Sequence, residues 1–176
     1  MSGAVPAIRN LLFVCTGNIC RSPMAEGLFR RLLRERRLPD VVQVRSAGFI
    51  AVPGNPATHL AALVAKEYGV DLSQHRAQPL TSSLIREADL ILVMEPGHRW
   101  ELLHHHQEIA SKVFLLRHFA RSGNHHRAIA DPYGLDLETY RSCFEEIREC
   151  VESLWEWLSM LGRIAPAQEP DPAGKA

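Results

Sequence analysis

With 176 residues, 46% of them apolar and 23% charged, the chain is long enough for one domain with a sizeable core and has the composition of a globular protein. Its 20 Lys and Arg balance 20 Asp and Glu, which speaks against nucleic acid as the main partner, since that binding draws on a basic excess. No apolar run reaches the roughly 18 residues that span a bilayer. Residues 1–10 also lack a charged-then-apolar leader pattern, so a cytoplasmic location is expected. There the four cysteines, Cys15, Cys20, Cys143 and Cys150, are reduced thiols rather than a disulfide framework.

Residues 8–15 end in Leu-Leu-Phe-Val-Cys, a short apolar run suited to a strand covered on both faces of a parallel sheet. After a six-residue link, Ser22-Pro23-Met24-Ala25-Glu26 carries the marks of a helix start: Ser22 as N-cap, Pro23 at the first helical position, Glu26 near the positive end of the dipole. This helix should run to Arg37, with Met24, Leu28, Leu32 and Phe29 inward and Arg30, Arg31, Arg34, Arg36 and Arg37 on a solvated face. Pro39-Asp40 breaks it, and 41–46 reads as a second strand. Residues 57–68 form a helix with Leu60, Leu63 and Val64 on one stripe, closed by Gly69. A short helix over 81–87 precedes a third buried strand, 90–94; Pro96 opens another helix, and 112–116 is the fourth strand. In the last helix Tyr140, Phe144, Ile147, Val151, Leu154, Trp155 and Leu158 recur at steps of three and four, with Cys143 and Cys150 beside them as core thiols. Prolines in a polar stretch beyond Gly162 predict a disordered tail over 163–176, leaving 1–162 as the folded unit. Strands alternating with helices imply a single α/β domain, doubly wound around a central four-stranded parallel sheet with flanking helices.

Ligands of such sheets bind beyond the carboxyl ends of the strands, so the loop after the first strand is the place to look. It reads Cys15-Thr16-Gly17-Asn18-Ile19-Cys20-Arg21-Ser22. A loop from strand end to helix start can curl its N–H groups into a nest for a tetrahedral dianion, with Gly17 and Asn18 supplying left-handed conformations. Arg21 offers a planar, two-pronged donor for phosphate oxygens, and the same positive potential favours Cys15 as a thiolate nucleophile, with Ser22 placed to hydrogen-bond the sulfur. The nucleotide-binding loop, by contrast, needs a Gly-Lys-Ser/Thr ending. A phosphate ester leaving as a phenolate needs a proton, and Asp131 in Ala130-Asp131-Pro132-Tyr133-Gly134 is the candidate acid, with Tyr133 flanking an aromatic substrate. Spacing alone does not select Asp131 over Asp136.

Phe-Val-Cys-Thr-Gly-Asn-Ile-Cys-Arg-Ser-Pro-Met-Ala-Glu, then Arg-Ser-Ala-Gly, His-Arg-Ala and Asp-Pro-Tyr-Gly, in this order over residues 8–160, resemble the low-molecular-weight protein tyrosine phosphatases. The resemblance implies Cys15 as nucleophile, Arg21 as phosphate clamp, Asp131 as acid and then base, and a phosphocysteine intermediate hydrolysed by water without metal or cofactor. It implies a phosphate loop of Thr16, Gly17, Asn18, Ile19, Cys20 and Ser22, held by a network of Asn18, Ser46 and His75. Cys20 matches the second loop cysteine, which closes a reversible disulfide with oxidised Cys15. The expected partners are tyrosine-phosphorylated proteins and an opposing tyrosine kinase, with no nucleic acid.

The loop 49–55 lacks the tryptophan or tyrosine that many members place along the cleft, so either Phe49 takes over or the cleft is less selective for phenyl rings. Protein-arginine phosphatases, close relatives, carry Thr where this chain has Ile19, which favours tyrosine. Arsenate reductases share the fold; the branch that relays electrons through mid-chain cysteines is disfavoured, because none lies between Cys20 and Cys143, whereas reductases resolved by an external thiol stay open as the alternative. A phosphoresidue-binding module without catalysis would need neither thiolate nor acid. His104-His105-His106 and His125-His126 read as structural or exposed rather than metal-binding, since consecutive helical residues diverge.

Overall fold

The computed structural model describes residues 6–164. Strands β1 (Asn10–Cys15), β2 (Gln43–Gly48), β3 (Leu90–Val93) and β4 (Val113–Leu115) form one parallel sheet in the order β2-β1-β3-β4. Parallel neighbours need crossovers, supplied by α1 (Arg21–Glu35), α2 (His59–Glu67), α3 (Ser82–Glu87) and α4 (Pro96–His105); α5 (Leu137–Met160) closes the fold.

Side chains of β1 alternate across the sheet and sort the core into two layers. Leu11, Phe13 and Cys15 face the cluster built with α1, α2 and α5, where Phe29 packs between Phe13 and Trp155. Leu12 and Val14 face the smaller cluster with Leu84 and Ile85 of α3 and Leu102 of α4. Every residue from Leu11 to Cys15 is buried, as a central strand covered on both sides requires.

Several boundaries depart from expectation. The first strand starts at Asn10 and the second spans 43–48, two residues later than its pattern suggested. Helix α1 begins at Arg21 with Cys20 as N-cap and no side-chain cap, because the Ser22 hydroxyl is engaged by Cys15 and Asn18; Pro23 accordingly falls in the third position. The same helix ends at Glu35, and Arg37 has φ 58°, which stops propagation. In α2, capped by Thr58, the buried stripe is Ala61, Val64 and Ala65, while Leu63 is exposed. The arginine face of α1 is not simply solvated: Arg30 and Arg31 pair with Glu26 and Glu35, and the Arg36 guanidinium lies 4.7 Å from the Trp155 ring. Apart from Arg163 and Ile164, the expected tail lies outside the described residues.

Candidate active site

Strand β1 has β2 on one side and β3 on the other, so the chain switches direction at its carboxyl end and opens a crevice there. Cys15 is the last residue of β1, and Arg21 the first of α1. Between them the backbone curls through Asn18, at φ 56°; Gly17, expected to share that geometry, has no positive φ. The glycine that the curl requires is instead Gly48, at the end of β2. A Cβ there would lie 2.7 Å from the Thr16 carbonyl oxygen and 2.9 Å from the Asn18 nitrogen.

Two donors are aimed at the Cys15 sulfur. The Asn18 N–H lies 3.3 Å from Sγ and the Ser22 hydroxyl 2.9 Å from it. Asn18 Nδ2 donates to Ser22 Oγ at 2.9 Å, so that oxygen already accepts and its own proton is free for the sulfur. Both contacts stabilise negative charge on Cys15.

Asn18 is fully buried and organises the loop. Its Nδ2 also donates to Ser46 Oγ at 2.9 Å, its Oδ1 accepts from the Gln78 N–H at 2.9 Å, and its carbonyl oxygen lies 2.7 Å from His75 Nε2. Ser46 and His75 therefore sit in one network with Asn18. The network extends to Glu26, whose carboxylate accepts from the Ser46 hydroxyl, and to Gln78, whose Nε2 donates to the Ser46 carbonyl at 2.9 Å. Sequence reasoning missed both roles: Glu26 passed as a helix-dipole residue, and Gln78 carries no local signal at all.

The Arg21 side chain is 1% exposed. Its Nη1 donates to Glu95 Oε1 at 2.5 Å and to the Ile129 carbonyl at 2.8 Å. Nη2 lies 3.4 Å from Asp131 Oδ2, and the Nε–Nη2 edge makes no protein hydrogen bond among the described residues, leaving a two-pronged donor for an anion. Glu95, the N-cap residue of α4, was also missed; a lone carboxylate after a strand looks like any turn residue.

Cys15, Thr16, Gly17, Ile19, Cys20, Arg21, Ile50, Asp131 and Tyr133 line a single cleft of about 200 Å³. Structure separates the two candidate acids. Asp131 faces this cleft, with Oδ1 accepting from the Tyr133 N–H at 3.1 Å. Asp136 caps α5 instead, and its bonds to Thr139 hold its carboxyl below the usual range. Phe49 does not line the cleft: its ring stacks on His98 at 5.1 Å, and the exposed Ile50 is the wall residue. A larger groove of about 270 Å³ runs behind the loop past Glu26, Arg30 and His75, but contains none of Cys15, Arg21 and Asp131.

Cys20 is buried against Thr58 Oγ1 at 3.4 Å and Tyr140 Oη at 3.3 Å, and burial raises its pKa. Burial likewise pushes the Tyr140 phenol up to about 12, and the Cys143 and Cys150 thiols up to about 12. Among the described residues no group of three or more His, Cys, Asp or Glu side chains suits a metal ion; His104 stacks on Trp100. No described helix is long and apolar enough to cross a membrane.

Residues 10–163 match the low molecular weight phosphotyrosine protein phosphatase family. A probable low molecular weight protein-tyrosine-phosphatase, EpsP, of Ralstonia nicotianae is 40% identical over 155 residues, covering 88% of this chain and 99% of that one. Among solved structures, the tyrosine phosphatase AmsI of Erwinia amylovora superposes with a TM-score of 0.78 at 34% identity, covering 90% of this chain and 97% of that one. The YwlE arginine phosphatase of Geobacillus stearothermophilus is similar too, with a TM-score of 0.77 at 36% identity over 88% of this chain and 95% of that one.

Proposed function

Since this chain belongs to the low molecular weight phosphotyrosine protein phosphatases, cysteine-dependent hydrolases that work through a phosphocysteine, we propose that its substrates are tyrosine-phosphorylated proteins and that Cys15, Arg21 and Asp131 carry the reaction. The observation that carries this reading is the convergence of a sulfur with two donors, a buried guanidinium with a free edge, and a half-exposed carboxyl in one cleft.

The Cys15 thiolate attacks phosphorus in line with the ester oxygen. The S–P bond forms as the P–O bond to the phenol breaks, and Asp131 gives its proton to the departing oxygen. Arg21 and the loop N–H groups hold the equatorial oxygens, where charge is spread in the transition state. Asp131, now ionised, takes a proton from water as that water attacks phosphorus. The S–P bond breaks, releasing inorganic phosphate and restoring the thiolate. Asn18, Ser46 and His75 hold the loop in register, and Thr16, Gly17, Ile19, Cys20, Ser22 and Tyr133 form the walls and floor of the phosphate site.

The walls of the cleft set substrate choice. Ile19, Ile50 and Tyr133 present an apolar slot that suits a phenyl ring better than a guanidinium. Hydrolysis of phosphotyrosine peptides should therefore exceed that of phosphoarginine peptides, and arsenate should not be reduced at a comparable rate. A preference for phosphoarginine would overturn the substrate assignment. Turnover by Cys15→Ser at the native rate would overturn the mechanism. We place the protein in the cytoplasm, opposed by a tyrosine kinase, with Cys20 able to form a disulfide with Cys15 once a peroxide has oxidised it.

A further inference from the structure

His98, on the first turn of α4, is 8% exposed, and packing alone does not call for an imidazole there. Its Nδ1 is buried and has no hydrogen-bond partner, a cost that a leucine of similar volume would avoid. Something must offset that cost. The only polar contact of the ring among the described residues is from Nε2 to Thr16 Oγ1, at 3.0 Å, on the residue next to Cys15. The ring also stacks on Phe49, at 5.1 Å and an interplanar angle of 26°, and Phe49 precedes the cleft residue Ile50.

The tautomer follows from the same geometry. Burial lowers the pKa of His98 and holds the ring neutral. A proton on Nδ1 would leave a buried N–H unsatisfied, which native proteins almost never tolerate, whereas an unpartnered lone pair is less rare. The proton therefore belongs on Nε2, which donates to Thr16 Oγ1. The Thr16 oxygen then accepts from within the protein, and its own hydroxyl proton remains for the cleft that Thr16 lines.

We propose that His98 is a positioning residue for the phosphate loop: its Nε2–H orients the Thr16 hydroxyl beside the nucleophile, and its ring steadies Phe49 and, through it, the Ile50 wall. Helix α4 thus braces the site twice, Glu95 holding Arg21 at 2.5 Å while His98 holds Thr16. The inference rests on the phosphatase reading, and aryl phosphate turnover by the unmodified protein is the control that separates a failure of that reading from a failure of this one.

The test compares His98→Leu, which keeps volume but removes the donor, with His98→Gln, which keeps an N–H at similar reach. His98→Leu should lower kcat/KM for an aryl phosphate and weaken inhibition by inorganic phosphate by roughly fivefold to tenfold, the worth of one hydrogen bond. His98→Gln should stay within about twofold of the native enzyme. From the loop side, Thr16→Val should show the same loss and Thr16→Ser should restore activity, which keeps the test valid if His98→Leu does not fold. The double variant His98→Leu, Thr16→Val should lose no more than either single one. Native phosphate affinity in Thr16→Val, equal losses in His98→Gln and His98→Leu, or additive losses in the double variant would each overturn the proposal.

Discussion

Replacing Gly48 with alanine adds one methyl group at the end of β2, where the loop from Cys15 passes closest. The new Cβ would sit 2.7 Å from the Thr16 carbonyl oxygen, 2.9 Å from the Asn18 nitrogen and 3.0 Å from the Gly17 carbonyl carbon. Ordinary contact begins near 3.4 Å, so the backbone must retreat by about 0.7 Å. All three neighbours are main-chain atoms, and no side chain can swing aside to relieve them. Nor can the loop drift freely, because the Phe49 N–H bonds the Cys15 carbonyl at 3.2 Å and the Ile50 N–H bonds the Thr16 carbonyl at 3.0 Å. On the strand side, Gly48 is tied to Gln78 and Leu80 at 3.0 and 2.8 Å. The displacement therefore falls on the N–H groups that cradle phosphate. A misplacement approaching 1 Å costs on the order of 10²-fold in rate, so kcat/KM for an aryl phosphate should fall by roughly 10- to 100-fold. Overpacking should cost about 1–3 kcal/mol, which lowers Tm by roughly 3–10 °C in a chain of this size. Steady-state kinetics with phosphate inhibition, read beside a thermal melt, measures both effects. Native kcat/KM together with a native Tm would refute the close approach and with it the account of how β2 shapes the loop.

Asn18→Ala removes the side chain that bonds Ser22, Ser46 and the Gln78 N–H and leaves a residue less suited to φ 56°; denaturant unfolding should show a loss of about 3 kcal/mol, and a loss below about 1 kcal/mol would count against its organising role. Asp131→Asn should slow aryl phosphates with poor leaving groups by about 10²-fold or more while sparing good ones; equal losses across a series of phenols would exclude it as the acid. His98 supplies a pH dependence of stability. Burial lowers its folded pKa, with Arg21 acting in the same sense and Glu95, Asp131 and Glu101 opposing, while the unfolded value is 6.5. The unfolded chain binds the proton first, so stability from this group is present above pH 6.5 and falls away as pH drops below it; His98→Gln should flatten that part of the urea-stability profile, and an unchanged slope would refute the assignment. Finally, an alkylating reagent at neutral pH should modify Cys15 first and leave Cys143 and Cys150 unmodified in the native protein, because burial keeps both thiols near 12; early loss of either free thiol by mass spectrometry would contradict their burial.

The amino-acid pattern by itself determined the elements and the reactive loop, because both are local. Four apolar residues before Cys15 make a doubly covered strand, and the run from Cys15 to Ser22 carries its sulfur, curl and guanidinium within eight positions. Asp131 was nameable but not separable from Asp136, since both precede a turn or a helix and only folding turns one toward the cleft. Tertiary structure alone decided the support. Gly48, Gln78, Glu95 and His98 lie 30 to 82 residues from the loop atoms they touch, and their types answer to a close approach, the Ser46 carbonyl, a buried charge and a hydroxyl that meet them only once β2, β3 and α4 are packed beside β1. The same holds for Phe49, expected in the cleft and found against His98: both residues follow β2 in a turn whose Phe49 and Ile50 N–H groups bond the Cys15 and Thr16 carbonyls, and that turn brings Ile50 rather than Phe49 to the cleft.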